Sequence, residues 1–408
     1  MKPLFFPDDH SFWYETLRIL GHIAYGGADF GEVAVTCERI APGDYESWYD
    51  EWLATADRVA GEARSSLTAG HRVSARDAFL RASNYYRAAE FFLHGDAADP
   101  RIRHAYDASV ACFRGAAAFF TPAVEPVEIP YGGTTLPGYL YRADGTGAAR
   151  PTVVMHNGFD GTVEEMHFFG AAAAVERGYT VLAFDGPGQP GTRHHQGMTF
   201  RPDWENVVGL VLDHAVTLPE VDPARIALLG VSMGGLLAPR AAAFDRRVAA
   251  LIALDGVYDL GDITTSSIPL PRPEAERRLR AEHDPELDAM MRAAMASSPT
   301  LRWAIEHGMY SMGAASPRAF GASYLDYHLR DGIAEKISCP TLVCAGAADG
   351  FFDGQPEQLY EHLMCRKTLM TFTEDEGADA HCQSGAQRLA FARLYDWLDD
   401  TLTAGAPA

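Results

Sequence analysis

The stretch Arg225–Arg240, RIALLGVSMGGLLAPR, decides how this chain is read. Its first half is a continuous apolar run closing on glycine, and its second half opens a helical pattern. Between them, Gly230-Val231-Ser232-Met233-Gly234 has the form G-x-S-x-G. A serine placed between strand and helix sits on a sharp turn that lifts its hydroxyl out of the sheet. Glycines beside it remove side chains that would clash there. The helix that follows brings its positive dipole end and unpaired N–H groups close by. The five-residue pattern occurs by chance. A strand before it and a helix after it make Ser232 the candidate nucleophile rather than an inert serine in a tight turn.

Working outward, the same rhythm repeats. Apolar runs occupy 151–158, 180–186, 225–232, 248–256 and 340–349, with a weaker one at 368–377, and helical stretches separate them. Uninterrupted Val/Ile/Leu runs point to strands covered on both faces. Helices between such strands give right-handed crossovers and a parallel sheet. Just upstream, PVEIPYGGTTLPGYLYR alternates about Gly132-Gly133 and predicts a β-hairpin. The interval 257–338 is too long for a simple crossover and carries helical periodicity. Within it, PEAERRLRAEHDPELDAMMRAAM predicts an amphipathic helix pair, placed to form a lid.

A serine hydroxyl needs a base, and the base needs an acid to orient it. In a sheet of this kind the chain order is Ser, acid, His. His381, in EGADAHCQ, is the histidine that follows the last predicted strand, so it is the candidate base. Asp349, at the end of the run 340–349, is the preferred acid; Asp353 and Asp255 are the alternatives. The oxyanion that forms on attack needs N–H donors. The N–H of Met233, directly after the nucleophile, is one candidate. The loop His156-Asn157-Gly158-Phe159-Asp160-Gly161 supplies the other from Phe159 or Gly158. Glu164 and Glu165 read as acids at a helix N-terminus, complementing its dipole. His194 and His195 are neighbours whose side chains point apart, so no metal site is expected there. No phosphate-binding or dinucleotide glycine pattern is present, and no cofactor is expected.

The N-terminal part differs. Tyr45, Trp48, Trp52, Ala56 and Val59 share one helical face, as do Ala78, Ala82, Tyr85, Ala89 and Phe92; a further helix is predicted from Pro100 to Phe120. The reading is therefore an all-α domain over 1–125 and an α/β domain over 126–408 with a helical insertion at 257–338. The 408 residues carry a formal charge of −21, which disfavours nucleic acid and anionic membranes as partners. No apolar run is long enough to span a bilayer, and the first residues do not read as a signal peptide. The six cysteines show no CxxC pair, which fits reduced thiols in the cytoplasm.

HNGFDGTVEEM at 156–166, GVSMGG at 230–235, AGAADGFF at 345–352 and EGADAHCQ at 376–383 follow one another in this order. So arranged, they resemble the α/β-hydrolases. With RASNYYRAAEFF at 81–92 in a helical N-terminal segment, nearly the whole chain is similar to a narrower group. That group holds 2,6-dihydroxypseudooxynicotine hydrolase, FrsA-like esterases and fungal polyketide chain-shortening hydrolases. The resemblance implies an α/β-hydrolase fold and a Ser232-Asp349-His381 triad. It also implies an active site between helical domain and sheet, and a homodimer. The expected activity is serine-dependent cleavage of an ester, or of a carbon–carbon bond next to a ketone, in a medium-sized small molecule. A peptidase-like acyl hydrolase is the alternative within enzymes, and a non-catalytic binding protein on the same scaffold is the alternative outside them.

Overall fold

The computed structural model describes residues 2–403. Five helices come first: α1 (His10–Gly21), α2 (Phe30–Cys37), α3 (Tyr45–Thr68), α4 (Arg72–Glu90) and α5 (Pro100–Ala117). Four of them begin at an aspartate whose carboxylate accepts a first-turn N–H: Asp9, Asp29, Asp44 and Asp99. Such a cap contributes about 1 kcal/mol by satisfying a donor that the helix itself leaves open. α3 and α4 pack along each other, with α5 against α4. Trp48, Trp52, Phe12 and Phe92 are buried between the helices as an aromatic core.

Eight strands follow: β1 (Glu125–Tyr131), β2 (Thr134–Tyr141), β3 (Arg150–His156), β4 (Thr180–Phe184), β5 (Val221–Val231), β6 (Val248–Leu254), β7 (Thr341–Gly346) and β8 (Lys367–Phe372). They form one sheet in the order β1-β2-β4-β3-β5-β6-β7-β8. β1 pairs antiparallel with β2, and β2 with β4; every other pairing is parallel. β1–β2 is the expected hairpin, and β3 to β8 are the six expected runs. The runs overshoot the strands at their C-terminal ends, because the chain leaves the ladder there to form the loops that hold the site.

The crossover helices are α6 (Ala171–Val175), α7 (Pro190–Gln196), α8 (Glu205–Ala215) and α9 (Gly234–Phe244). Between β6 and β7 lie α10 (Leu260–Ser266), α11 (Arg272–Leu279), α12 (Pro285–Ser297), α13 (Pro299–Met312) and α14 (Pro317–Tyr324). The expected amphipathic pair is α11 and α12. α15 (Gln355–His362) and α16 (Gln387–Thr403) complete the fold. Every residue of β4 is buried, as parallel-sheet cover on both faces requires. The insertion touches the N-terminal helices directly: Trp303 of α13 stacks on Phe91, ring centroids 4.9 Å apart.

Candidate active site

The turn after β5 shows why its glycines are needed. Ser232 has φ +60°, in the left-handed region. A Cβ on Gly230 would sit 2.0 Å from the Gly234 carbonyl oxygen, and one on Gly235 would sit 1.7 Å from the Asp255 carbonyl oxygen. Neither space admits a methyl group, so the elbow closes only with glycine on both sides. The Ser232 N–H donates to the Leu254 carbonyl, which ties the turn to β6.

Three of the residues expected to act together meet. His381 Nε2 lies 2.8 Å from Ser232 Oγ, and His381 Nδ1 lies 2.8 Å from Asp349 Oδ2. Asp349 is fixed in turn, its Oδ1 accepting the N–H groups of Phe351 and Phe352. Asp353 is exposed, and no contact joins it to His381 among the described residues. Asp255 does reach the imidazole, with Oδ2 3.2 Å from Nδ1. Its two oxygens also accept the Cys382 N–H at 2.7 Å and the Gln383 amide at 2.9 Å, so it clamps the loop that bears His381. Burial works against a charge on His381, but the Asp349 carboxylate, with Cys382, Tyr14 and Asp255 adding to it, outweighs burial and holds the imidazole well above its usual pKa. Burial also opposes ionisation of Asp349, yet His381 outweighs it and the carboxyl sits below the usual range. Asp255 goes the other way, pushed up by complete burial. Asp349 is thus the carboxylate whose charge faces His381, and Asp255 serves more as a hydrogen-bonding clamp.

The loop after β3 lies against the elbow. A Cβ on Gly158 would stand 2.6 Å from the Met233 nitrogen, so only glycine lets the two backbones approach this closely. The Gly158 N–H is donated to Asn157 Oδ1 at 2.7 Å. No acceptor takes the N–H of Phe159 or of Met233 among the described residues. Gln189 holds the loop from behind, its amide nitrogen donating to the carbonyls of Asn157 and Gly158.

A cavity of about 240 Å³ opens before Ser232. Its walls are mostly apolar and aromatic, with Phe159, Trp303, Phe320, Tyr324 and Phe351 among them. Tyr14 and Arg18 of α1 line it too, so the N-terminal helices reach the nucleophile's side of the sheet. The Tyr14 hydroxyl lies 3.3 Å from Ser384 Oγ and 3.4 Å from the His381 carbonyl oxygen.

One expectation is corrected here. Glu164 and Glu165 do not act on a helix dipole from the surface. Glu165 is buried and receives Arg18 in two parallel bonds, Nε to Oε1 at 2.8 Å and Nη2 to Oε2 at 2.6 Å. Arg87 lies 3.4 Å from it and His22 3.5 Å. Burial opposes its charge, but the two guanidiniums outweigh burial and bring the Glu165 carboxyl down to about 2. Glu164 accepts the Tyr139 hydroxyl at 2.9 Å. The sequence signal for this cluster was a charged pair, Glu15 and Arg18, inside the otherwise apolar helix FWYETLRIL. Arg18 also pairs with Asp160 at 3.1 Å, which gives the cavity a polar, charge-balanced pole. That pole was not foreseen, because it joins residues far apart in the chain.

Two family models match. One, described as the alpha/beta hydrolase family, covers residues 153–401; the other, described as esterase FrsA-like, covers 7–267. The chain is similar to the hydrolase acrC of Aspergillus aculeatus, 38% identical with 97% of each chain covered. It is similar as well to the 20-hydroxy-prefusarin hydrolase FUS2 of Gibberella moniliformis, 36% identical with 96% of each covered. Among solved structures it resembles the 2,6-dihydroxy-pseudo-oxynicotine hydrolase, with a TM-score of 0.73 over 95% of this chain and 97% of that one, at 22% identity.

Proposed function

The chain belongs to the α/β-hydrolase family and is a hydrolase, and from that premise we propose that it works through a Ser232-His381-Asp349 triad on a small organic substrate. The observation that carries this reading is the unbroken line Asp349 Oδ2, His381 Nδ1, His381 Nε2, Ser232 Oγ, with both contacts at 2.8 Å, at the mouth of an apolar cavity. Ser232 Oγ attacks the substrate carbonyl carbon and gives its proton to His381 Nε2. Asp349 keeps the imidazole oriented and stabilises the imidazolium. The oxygen that becomes negative is held by the N–H groups of Met233 and Phe159. Gly158, the other candidate for the second donor, spends its N–H on Asn157. The imidazolium then protonates the leaving group, and a water activated by His381 releases the acyl group from Ser232.

The substrate is a medium-sized ester, or a ketone whose neighbouring carbon–carbon bond breaks so that the departing carbanion is held as an enolate. Apolar walls with one charge-balanced pole suit such a molecule better than a peptide, whose free amine would need an unpaired acid. The names of FUS2 and of the pseudo-oxynicotine hydrolase, which mark polyfunctional small molecules as substrates of those proteins, support the same class. In this reading residues 1–125 form a domain that supplies one wall of the pocket, and 257–338 supply another. The protein acts as a cytoplasmic homodimer without cofactor, nucleic acid or membrane partner. Among the described residues no helix is long and apolar enough to cross a membrane. A fluorophosphonate probe, followed by peptide mapping, tests the nucleophile: label on Ser232 is the expected result, and an unlabelled Ser232 in folded protein overturns it. Parallel assays on p-nitrophenyl esters and aryl β-diketones separate ester from carbon–carbon cleavage.

A further inference from the structure

Away from the triad, a buried ion pair and a histidine nitrogen without a hydrogen-bond partner converge where the end of α4, α7 and α13 meet. Glu90 closes α4, and His94 lies four residues on in the turn that follows; Glu90 Oε2 and His94 Nε2 are 2.9 Å apart. His194 of α7 joins them, and the three candidate ligand atoms lie within 4.8 Å of one another. All three atoms are buried; Glu90 Oε2 and His94 Nε2 have only each other, and His194 Nε2 has no hydrogen-bond partner among the described residues. Glu90 and His94 are 3% and 6% exposed.

The hydrogen bonds around the cluster decide what it needs. Backbone carbonyls only accept. His94 Nδ1, 3.3 Å from the Phe91 carbonyl oxygen, therefore carries a proton, and so does His307 Nε2, 2.9 Å from the Phe159 carbonyl oxygen. The same His94 Nδ1–H points to His307 Nδ1 at 3.2 Å. With its Nδ1 protonated, the neutral form of His94 turns a lone pair on Nε2 toward the Glu90 carboxylate, and the cationic form a proton. Two electron-rich atoms 2.9 Å apart require a positive charge between them. A proton serves two atoms, but here a third, His194 Nε2, shares the same space. His194 is held by its far nitrogen, with Nδ1 2.7 Å from the Tyr310 hydroxyl. Its neighbour His195 turns away to Asp107, 3.0 Å distant, so the adjacent pair does not chelate. Two imidazoles, each fixed through its other nitrogen, and one carboxylate are a donor set suited to a borderline divalent ion.

We propose that Glu90, His94 and His194 form a binding site for a divalent cation of the zinc class, with the fourth position left to water. The site stands apart from the triad and pins α4 to α7. Through His94 and His307 it also braces the carbonyl of Phe159, the residue proposed above as the second oxyanion donor. The cation acts as a structural tie and takes no part in attack on the carbonyl.

The test uses the full-length protein, stripped with a chelator, desalted and titrated with Zn²⁺ against a chromogenic zinc indicator. Expected are one zinc per chain, a higher melting temperature with zinc than without, and loss of both effects in His194→Gln. That side chain is only half-buried, so the variant should fold; circular dichroism checks it, and the isosteric Glu90→Gln gives a second reading. Affinity should fall by about tenfold or more in either variant, since even groups that merely orient a ligand contribute that much. Failure of the wild type to bind zinc stoichiometrically overturns the proposal. So does binding that is equally tight in both variants, which would place the ion elsewhere.

Discussion

Ser232, Asp349 and Asp255 carry distinct expectations at the scale of single residues. Ser232→Ala should retain the fold and lose about a thousandfold or more in kcat; a variant with a tenth of wild-type turnover would remove Ser232 from the mechanism. Asp349→Asn should cost a similar factor, Asp255→Asn less, and Asp353→Asn almost nothing, because Asp353 does not reach His381. The pH profile separates the two buried acids further. The Asp349 carboxylate raises the His381 pKa by stabilising the imidazolium, and the base works only when neutral. Removing that charge lets His381 lose its proton at lower pH, so the acid limb of kcat/KM should move toward acid in Asp349→Asn. In Asp255→Asn it should move the same way by a smaller amount. A limb that stays in place in Asp349→Asn would show that another group controls it. The fold brings Ser232, His381, Asp349 and Asp255 together, and that these would be the candidates was readable from the order of motifs. The division of labour between Asp349 and Asp255 was not, because it depends on which carboxylate the folded loops leave facing Nδ1.

Among the elements, the strands and the elbow were legible because apolar runs and glycines report directly on a covered sheet and a tight turn. α3, α4, α5, α11 and α12 were legible because each has a polar face. α1 was not: Ser11, Phe12, Trp13 and the whole run from Glu15 to Ile19 are buried, the charged Glu15 and Arg18 among them, and burial of charge is not legible in a sequence. This hidden helix delivers Arg18 to Glu165. Replacing Arg18 with leucine leaves that buried carboxylate short of its main partner and should destabilise the protein by about 3–5 kcal/mol. Urea unfolding measures this, and Arg18→Leu combined with Glu165→Leu should recover part of the loss. If Arg18→Leu unfolds at the wild-type midpoint, the cluster does not hold α1 to the sheet.

For the whole molecule, acid sensitivity follows from what is buried neutral. Burial lowers His22 to about 3, and His156 and His167 to about 4. Unfolded, these histidines take up protons near pH 6.5, whereas folded they do not. Their contribution to stability is therefore complete above about pH 6.5 and is lost as pH falls toward their folded values. Each adds a slope of about 1.4 kcal/mol per pH unit in that window, so the three together approach about 4. Glu165 adds its own loss as pH drops from its ordinary range near 4.5 toward about 2. Denaturant midpoints at pH 8, 6.5 and 5 should fall slightly between the first two, where three half-protonated unfolded histidines cost about 1 kcal/mol, and sharply at the third. A midpoint at pH 5 equal to that at pH 8 would contradict the burial of these imidazoles. None of this was visible in the sequence, where a histidine in an acidic chain looks like any surface residue.

The left-handed backbone at Ser232 has a bearing on heat resistance. An L-residue held at φ +60° carries strain that glycine does not. The proposed nucleophile is then also a weak point in the fold, and on that reading it is retained for its hydroxyl and not for its conformation. Ser232→Gly and Ser232→Ala both lose that hydroxyl and differ only in the methyl group that resents the turn. The glycine variant should therefore be more stable than the alanine variant by about 1 kcal/mol, against the usual rule that glycine loosens a chain. Calorimetry of the pair would show how much thermal tolerance the protein gives up to keep its chemistry.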